Sequence, residues 1–125
     1  MAATRPAIIS IVDSPGPDGS RVVVTLDWAE KSWHGEASGP TEQRSRLAGE
    51  ATLSAVAALL GTPVDMELLA VATTDLGSES VALAQVRMEG KDVLVGSALE
   101  RQTDPGMAAA KAVMDAINRR IHPLL

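Results

Sequence analysis

The pattern of strands and helices repeats once along the 125-residue chain, with a period of about 60 residues. Apolar alternation and turn residues predict three strands and then one helix in each half. The first half contains predicted strands over 7–12, 21–28 and 32–37 and a helix capped by Thr41 and ending near Leu60. The second half contains predicted strands over 66–74, 80–88 and 92–99 and a helix from Pro105 to about Ile121. We therefore predict a single α+β domain over 1–125, built from two β-β-β-α units (about 7–61 and 64–122) with pseudo-two-fold repetition and helices packed on one antiparallel sheet layer.

The second helix has the strongest start signal in the chain. Asp104 is a good N-cap, because its carboxylate can accept hydrogen bonds from backbone N–H groups of the first turn, and Pro105 suits the first helical position. Five apolar residues recur at steps of three and four and predict one buried face: Met107, Ala110, Met114, Ile117 and Ile121. Alanines at positions 108, 109, 112 and 116 let such a helix approach a sheet closely.

Composition limits both the core and the partners. Aromatic residues make up 2% of the chain, without Phe or Tyr, so small aliphatic residues and Met must fill the core. No cysteine is present, which excludes disulfides and thiolate sites. A net charge of −5 argues against a nucleic-acid partner, and no apolar run approaches the roughly 20 residues of a membrane span. We therefore expect a cytoplasmic protein that uses no nucleic acid, membrane, cofactor or metal.

Two strands of the second half do not alternate cleanly. The stretches Leu68–Ala72 and Val81–Ala84 are apolar at consecutive positions, which indicates burial on both faces. The helices cover one face of the predicted sheet, so the other face needs a cover. A second copy of the chain is the simplest cover and predicts a homodimer, whereas burial in a larger single core is the alternative.

The second helix and the turn before the first helix carry a family resemblance. Asp104, the alanine-rich run Ala108–Ala112 and the ending Ala116–Asn118 occur in one register, and Gly39 with Pro40 precedes the first helix. In these positions the chain resembles the C-terminal regulatory, dimer-forming domain of 2-isopropylmalate synthase, as a stand-alone divergent relative. The resemblance implies two β-β-β-α units, self-association and a feedback amino-acid site at the glycine-containing turns.

These turns before the helices form the candidate ligand site. Backbone N–H groups at a helix start can bind a carboxylate or a phosphate. Five residues are the candidates: Gly39, Thr41, Gly96, Thr103 and Asp104. The alternative is a purely capping role, because the Asp104 carboxylate would occupy the same N–H groups. Ala37 and Ala98 stand where the resembling family has glycines, so we expect leucine to bind weakly or not at all.

The remaining polar residues indicate no catalytic site. His34 and His122 have no partners at metal-ligand spacing, and no nucleophile-elbow motif occurs. Trp33 is a candidate interaction residue, since tryptophan is enriched at binding hot spots, with packing on the sheet as the alternative. The resulting hypothesis is a non-catalytic, self-associating regulatory or protein-interaction module, which resembles the synthase regulatory domain and has a possible protein partner. The alternative is a sensor of an amino-acid-like or anionic small molecule.

Overall fold

The computed structural model describes residues 5–101 and 104–125. This part of the chain forms six strands and two α-helices in the order β-β-β-α-β-β-β-α, which confirms the α+β class and the two predicted units. The elements are β1 (Ala7–Gly16), β2 (Gly19–Trp28), β3 (Lys31–Gly39), α1 (Arg44–Leu60), β4 (Met66–Leu76), β5 (Glu79–Met88), β6 (Asp92–Leu99) and α2 (Pro105–Ile121). Short 3-10 helices precede α1 (Thr41–Gln43) and follow α2 (His122–Leu124).

Each unit forms its own antiparallel sheet. Within the described residues, β1-β2-β3 (sheet A) and β4-β5-β6 (sheet B) are hydrogen-bonded separately, so the expected single sheet layer is wrong. Helix α1 packs on β2 and β3 and also contacts β4, whereas α2 packs on β5 and β6 and also contacts β1. The helices contact each other as well. They therefore lie side by side between the two sheets, and one aliphatic core joins the three layers.

The two units match residue by residue. A bulge interrupts the first strand of each sheet at equivalent places, between Ile8 and Ser10 and between Leu68 and Ala70. The predicted period of about 60 residues is confirmed, because these bulges lie 60 positions apart. From the third strand onward the offset becomes 61, since the β5–β6 turn has one residue more than the β2–β3 turn.

The first hairpin is tighter than the sequence suggested. The segment 13–20 is rich in Pro, Gly, Asp and Ser, and the predicted strands over 7–12 and 21–28 leave it as a loop, which is wrong for most of its length. β1 continues to Gly16, and the ladder with β2 runs from Asp13 opposite Val22 to Gly16 opposite Gly19. Pro15 fits this ladder because β1 is an edge strand, where a missing N–H can face away from the sheet.

Two glycines set the distance between each sheet and its helix. Gly35 on β3 lies under α1, where an added Cβ would be 2.1 Å from Ala55 N and 2.2 Å from Ala51 O. Gly96 on β6 lies under α2 in the same way, since an added Cβ would be 2.2 Å from both Ala112 O and Ala116 N. Backbone therefore packs directly on backbone at both crossings. The close helix-on-sheet approach expected from the alanines of the second helix is confirmed.

Helix α1 differs at its start from the sequence prediction. Thr41 does not cap it, because Gln43 occupies the N-cap position and no side chain makes a capping hydrogen bond there. The Thr41 hydroxyl instead lies 3.0 Å from the Ser20 hydroxyl. The stop is as predicted, with Gly61 in the left-handed conformation at the C-cap. Buried residues surround most of α1, as its position between two sheets requires: 47–49, 51–53, 55 and 56.

Candidate functional site

The starts of the two helices lie together at one end of the molecule. Arg44, the first residue of α1, contacts Asp104 at the start of α2. Further along, an added Cβ on Gly49 of α1 would lie 3.2 Å from Val113 Cγ2 of α2, so the helices run in the same direction. Two helix N-termini, each with partial positive charge, therefore meet here. A carboxylate or phosphate group would be attracted to such a place.

Protein side chains already fill this place. The Arg44 guanidinium donates to both carboxylate oxygens of Asp104, at 2.8 and 2.9 Å, and its Nε donates to Asp13 of β1. Asp104 also accepts a 3.2 Å hydrogen bond from Met107 N, which confirms it as the N-cap of α2. The cluster thus joins β1, α1 and α2. Asp13 and Asp104 thus place two carboxylates of the chain itself where an anionic ligand would be attracted.

Arg44 and Asp104 stabilise each other's charged forms. Hydrogen bonding to Arg44 lowers the pKa of Asp104, and the bonds to Asp104 and then Asp13 raise the pKa of Arg44. Both groups are therefore held charged near neutral pH and are poorly suited to exchange a proton with a substrate. Gly106 completes the arrangement, since an added Cβ there would lie 2.7 Å from Arg44 Nη1. These features indicate a structural clamp between the units.

The four ligand-site candidates that lie in the described residues do not meet at glycine-containing turns. Gly39 is the last residue of β3, and an added Cβ would lie 3.0 Å from Leu47 Cδ2. Gly96 lies inside β6 under α2, so its expected place in a turn is wrong. Thr41 contacts Ser20, Asp104 is engaged by Arg44, and Thr103 lies outside the described residues. The residue equivalent to Gly96 in the first unit is Gly35, not Gly39, because each lies under its helix.

Trp33 faces the helical layer. It lies directly opposite Leu26 in the β2–β3 ladder, and directly opposed residues share one face of a sheet. Leu26 is fully buried, and Trp33 itself is half-buried. Val22 and Val24, which alternate with Leu26 along β2, are fully buried on the same face. The placement of Trp33 favours packing over partner binding.

The outer faces of the two sheets, which point away from the helices, differ in chemistry. On sheet B most of the outer positions are apolar. They are Ala70, Ala72, Val81, Leu83, Val93, Val95 and Leu99. Val95 is 66% exposed, Val93 47% and Leu99 42%, so this apolar face is open in a single chain.

The outer face of sheet A is mostly polar at the equivalent positions. The Thr25 hydroxyl lies 2.9 Å from His34 Nδ1, and Arg21 pairs with Glu36. His34 is exposed and occupies the position equivalent to Val95. Two sheets with the same backbone plan therefore present one polar outer face and one apolar outer face. The apolar stretches in the sequence indicated the second face, but only the strand pairing shows which residues share it.

Comparisons with protein-family models and with curated proteins gave no match. The resemblance to the synthase regulatory domain therefore stays a prediction based on the residues quoted above. In the described ranges no helix is long and apolar enough to cross a membrane. The same ranges contain no group of three His, Asp or Glu side chains positioned to hold a metal ion.

Proposed function

We propose that this chain is a non-catalytic module that works by self-association, through the outer face of sheet B. The observation that carries the proposal is that the outer face of sheet B is apolar, whereas the outer face of sheet A on the opposite side of the molecule is polar. Val95, Val93 and Leu99 are exposed to solvent in a single chain, whereas the valines and leucines of the core are buried. Contiguous apolar patches of this kind usually mark interfaces.

A second copy of the chain suits this face for electrostatic and geometric reasons. The chain has a net charge of −5, so two copies repel one another except where they meet through an uncharged surface. At one end of the face Arg87 pairs with Glu67 at 3.2 Å, which leaves the patch neutral. An isologous contact places the same patch on both partners and needs no other complementary surface.

The size of the face predicts a reversible contact. Three strands at a spacing of about 4.8 Å and about ten residues at 3.3 Å give a surface of roughly 14 by 33 Å. Two such surfaces together bury on the order of 1,000 Å², below the roughly 1,600 Å² of standard stable interfaces. We therefore expect a dimer that dissociates on dilution in the micromolar range.

The test is molar mass by light scattering during dilution, with a pair of matched variants. Val95→Glu places a charge in the middle of the apolar face and should give a monomer at concentrations where the natural chain is dimeric. His34→Glu makes the equivalent change on sheet A and should leave the dimer intact. Leu83→Glu should weaken the dimer as well, with a larger loss of folding stability because Leu83 is half-buried. A natural chain that stays monomeric at all concentrations, or equal effects of both Glu variants, would refute the proposal.

A further inference from the structure

The outer face of sheet B is uneven across its three strands. Along β4 its positions are held by small side chains, first Ala70 and then Ala72, and both are exposed. Along β6 they are held mostly by larger apolar side chains: Val93, Val95 and Leu99. The face is therefore low along β4 and high along β6.

Two such faces fit each other when a two-fold axis runs along the central strand, β5. Such an axis lays β4 of one copy over β6 of the other, so small side chains face large ones and the sheets can approach evenly at about 10 Å. Leu76, at the end of β4, lies beyond Leu99, where β6 ends, so it does not disturb this match. An axis across the strands would instead set Ala70 against Ala70 and Val95 against Val95, which leaves a gap on one side of the contact.

The central strand carries one uncharged polar side chain among the apolar positions of this face. Gln85 is exposed, and the residues directly opposite it are Ala70 on β4 and Val95 on β6. Its outer neighbours along β5 are Leu83 and Arg87, and Arg87 is already in an ion pair. Contact with a second copy removes water from the Gln85 amide, and a buried amide without a hydrogen-bond partner is costly. The second copy must therefore supply that partner.

We infer that Gln85 lies on the two-fold axis of the dimer and pairs with Gln85 of the second copy. The inference rests on the proposed self-association through the same face. An amide group is both donor and acceptor, so two amides related by a two-fold axis can form two reciprocal hydrogen bonds. A single buried polar pair fixes the register of an apolar interface, as a buried Asn does in coiled coils. Gln85 thus selects one arrangement among those that an apolar face alone would allow.

Opposite charges at position 85 test whether this residue lies on the axis. Gln85→Glu and Gln85→Lys should each weaken the homodimer by roughly thirtyfold or more, because the axis brings two like charges together in a buried place. An equimolar mixture of the two variants should restore a molar mass of two chains, measured by light scattering at the same total concentration. Gln85 is exposed in a single chain, so both variants should fold normally, which circular dichroism checks.

Charges at Val95 provide the matched control for the direction of the axis. In the inferred arrangement Val95 faces Ala70 of the second copy and lies on the opposite side of the axis from the other Val95. A mixture of Val95→Glu and Val95→Lys should therefore stay monomeric. A mixture of Ala70→Glu and Val95→Lys should associate, because the new charges face each other across the contact.

The possible failures separate this inference from the proposed function. If Val95→Glu dissociates a dimeric natural chain but the mixed Gln85 variants stay monomeric, self-association through this face stands and the position of the axis is wrong. Restored association in the Val95 mixture would place the axis across the strands and would also overturn the inference. A natural chain that stays monomeric at all concentrations would refute both.

Discussion

Replacement of Gly35 or Gly96 by alanine should be among the most destabilising single-methyl changes in this protein. An added Cβ would lie 2.1–2.2 Å from backbone atoms of the facing helix, whereas ordinary contacts of a Cβ begin at 3.4 Å. The helix must therefore move away by about 1.2 Å, or the strand must bend by a similar amount. The obstructing atoms belong to helical backbone and cannot rotate aside as a flexible side chain would.

The expected cost follows from packing. Inserting a methyl group into a well-packed core costs about 1–3 kcal/mol and occasionally more. A gap of 0.5–1 Å already forfeits a quarter to a half of the dispersion attraction between facing atoms. Both effects apply along the whole crossing, so we expect each variant to lose about 3 kcal/mol or more. Alanine also lowers the conformational entropy of the unfolded chain, which offsets only about 0.4–1 kcal/mol of this loss.

Urea unfolding, followed by circular dichroism, measures this cost directly. Gly16→Ala is the matched control, since its added Cβ would meet only Gly19 O at 3.7 Å, an ordinary contact. It should change the free energy of unfolding by less than about 1 kcal/mol. If Gly35→Ala or Gly96→Ala unfolds with the same free energy as this control, the helices do not lie this close to the strands. The described packing would then be wrong.

Two further predictions concern Asp104. Asp104→Ala removes the cap of α2 and should cost about 0.5–2 kcal/mol, measured by urea unfolding, whereas Asp104→Asn keeps a capping acceptor and should cost less; equal losses would assign the effect to the Arg44 pair alone. The pKa of Asp104 is lowered from its ordinary value of 3.8, so ionisation of this carboxyl stabilises the folded state. This stabilisation should be complete above the unfolded pKa and be lost as the pH falls through the lower, folded pKa. Acid unfolding curves should show this loss in the natural chain, and a curve unchanged by Asp104→Asn would contradict it.

Local signals predicted much of the fold. The second helix begins and ends where the sequence indicated, because Asp104 and Pro105 act within one turn and need no distant partner. Hairpin turns at 29–30 and 89–91 were also readable from short-range patterns. The end of β1 was not, because turn residues at 15–16 suit both a loop and the tip of an edge strand. Division into two sheets depends on which strands pair, and strand periodicity alone does not determine that.

The candidate site was harder to predict, because its contacts join distant segments. Arg44 lies 31 positions from Asp13 and 60 from Asp104, and nothing in their local sequence links them. Gly35 and Gly96 could have been recognised, however. Each occupies the same position in its unit, and each is followed by a helix with two alanines four residues apart. Comparison of the two halves, residue by residue, would have separated these packing glycines from the turn glycine at 39.

The comparison of the two units also separates the positions that packing fixes from the positions that are free to differ. Positions that hold the layers together are alike in both units, as the paired glycines show. Positions on the outer faces differ, with Val95 against His34 on the sheets and Lys111 against Glu50 on the helices. All four positions are exposed, so core packing does not fix their identity. Valine favours a strand by itself, and a row of exposed apolar residues on a sheet also favours association of chains. The contrast between Val95 and His34 therefore supports the proposed self-association through the outer face of sheet B, which the variants Val95→Glu and His34→Glu test directly.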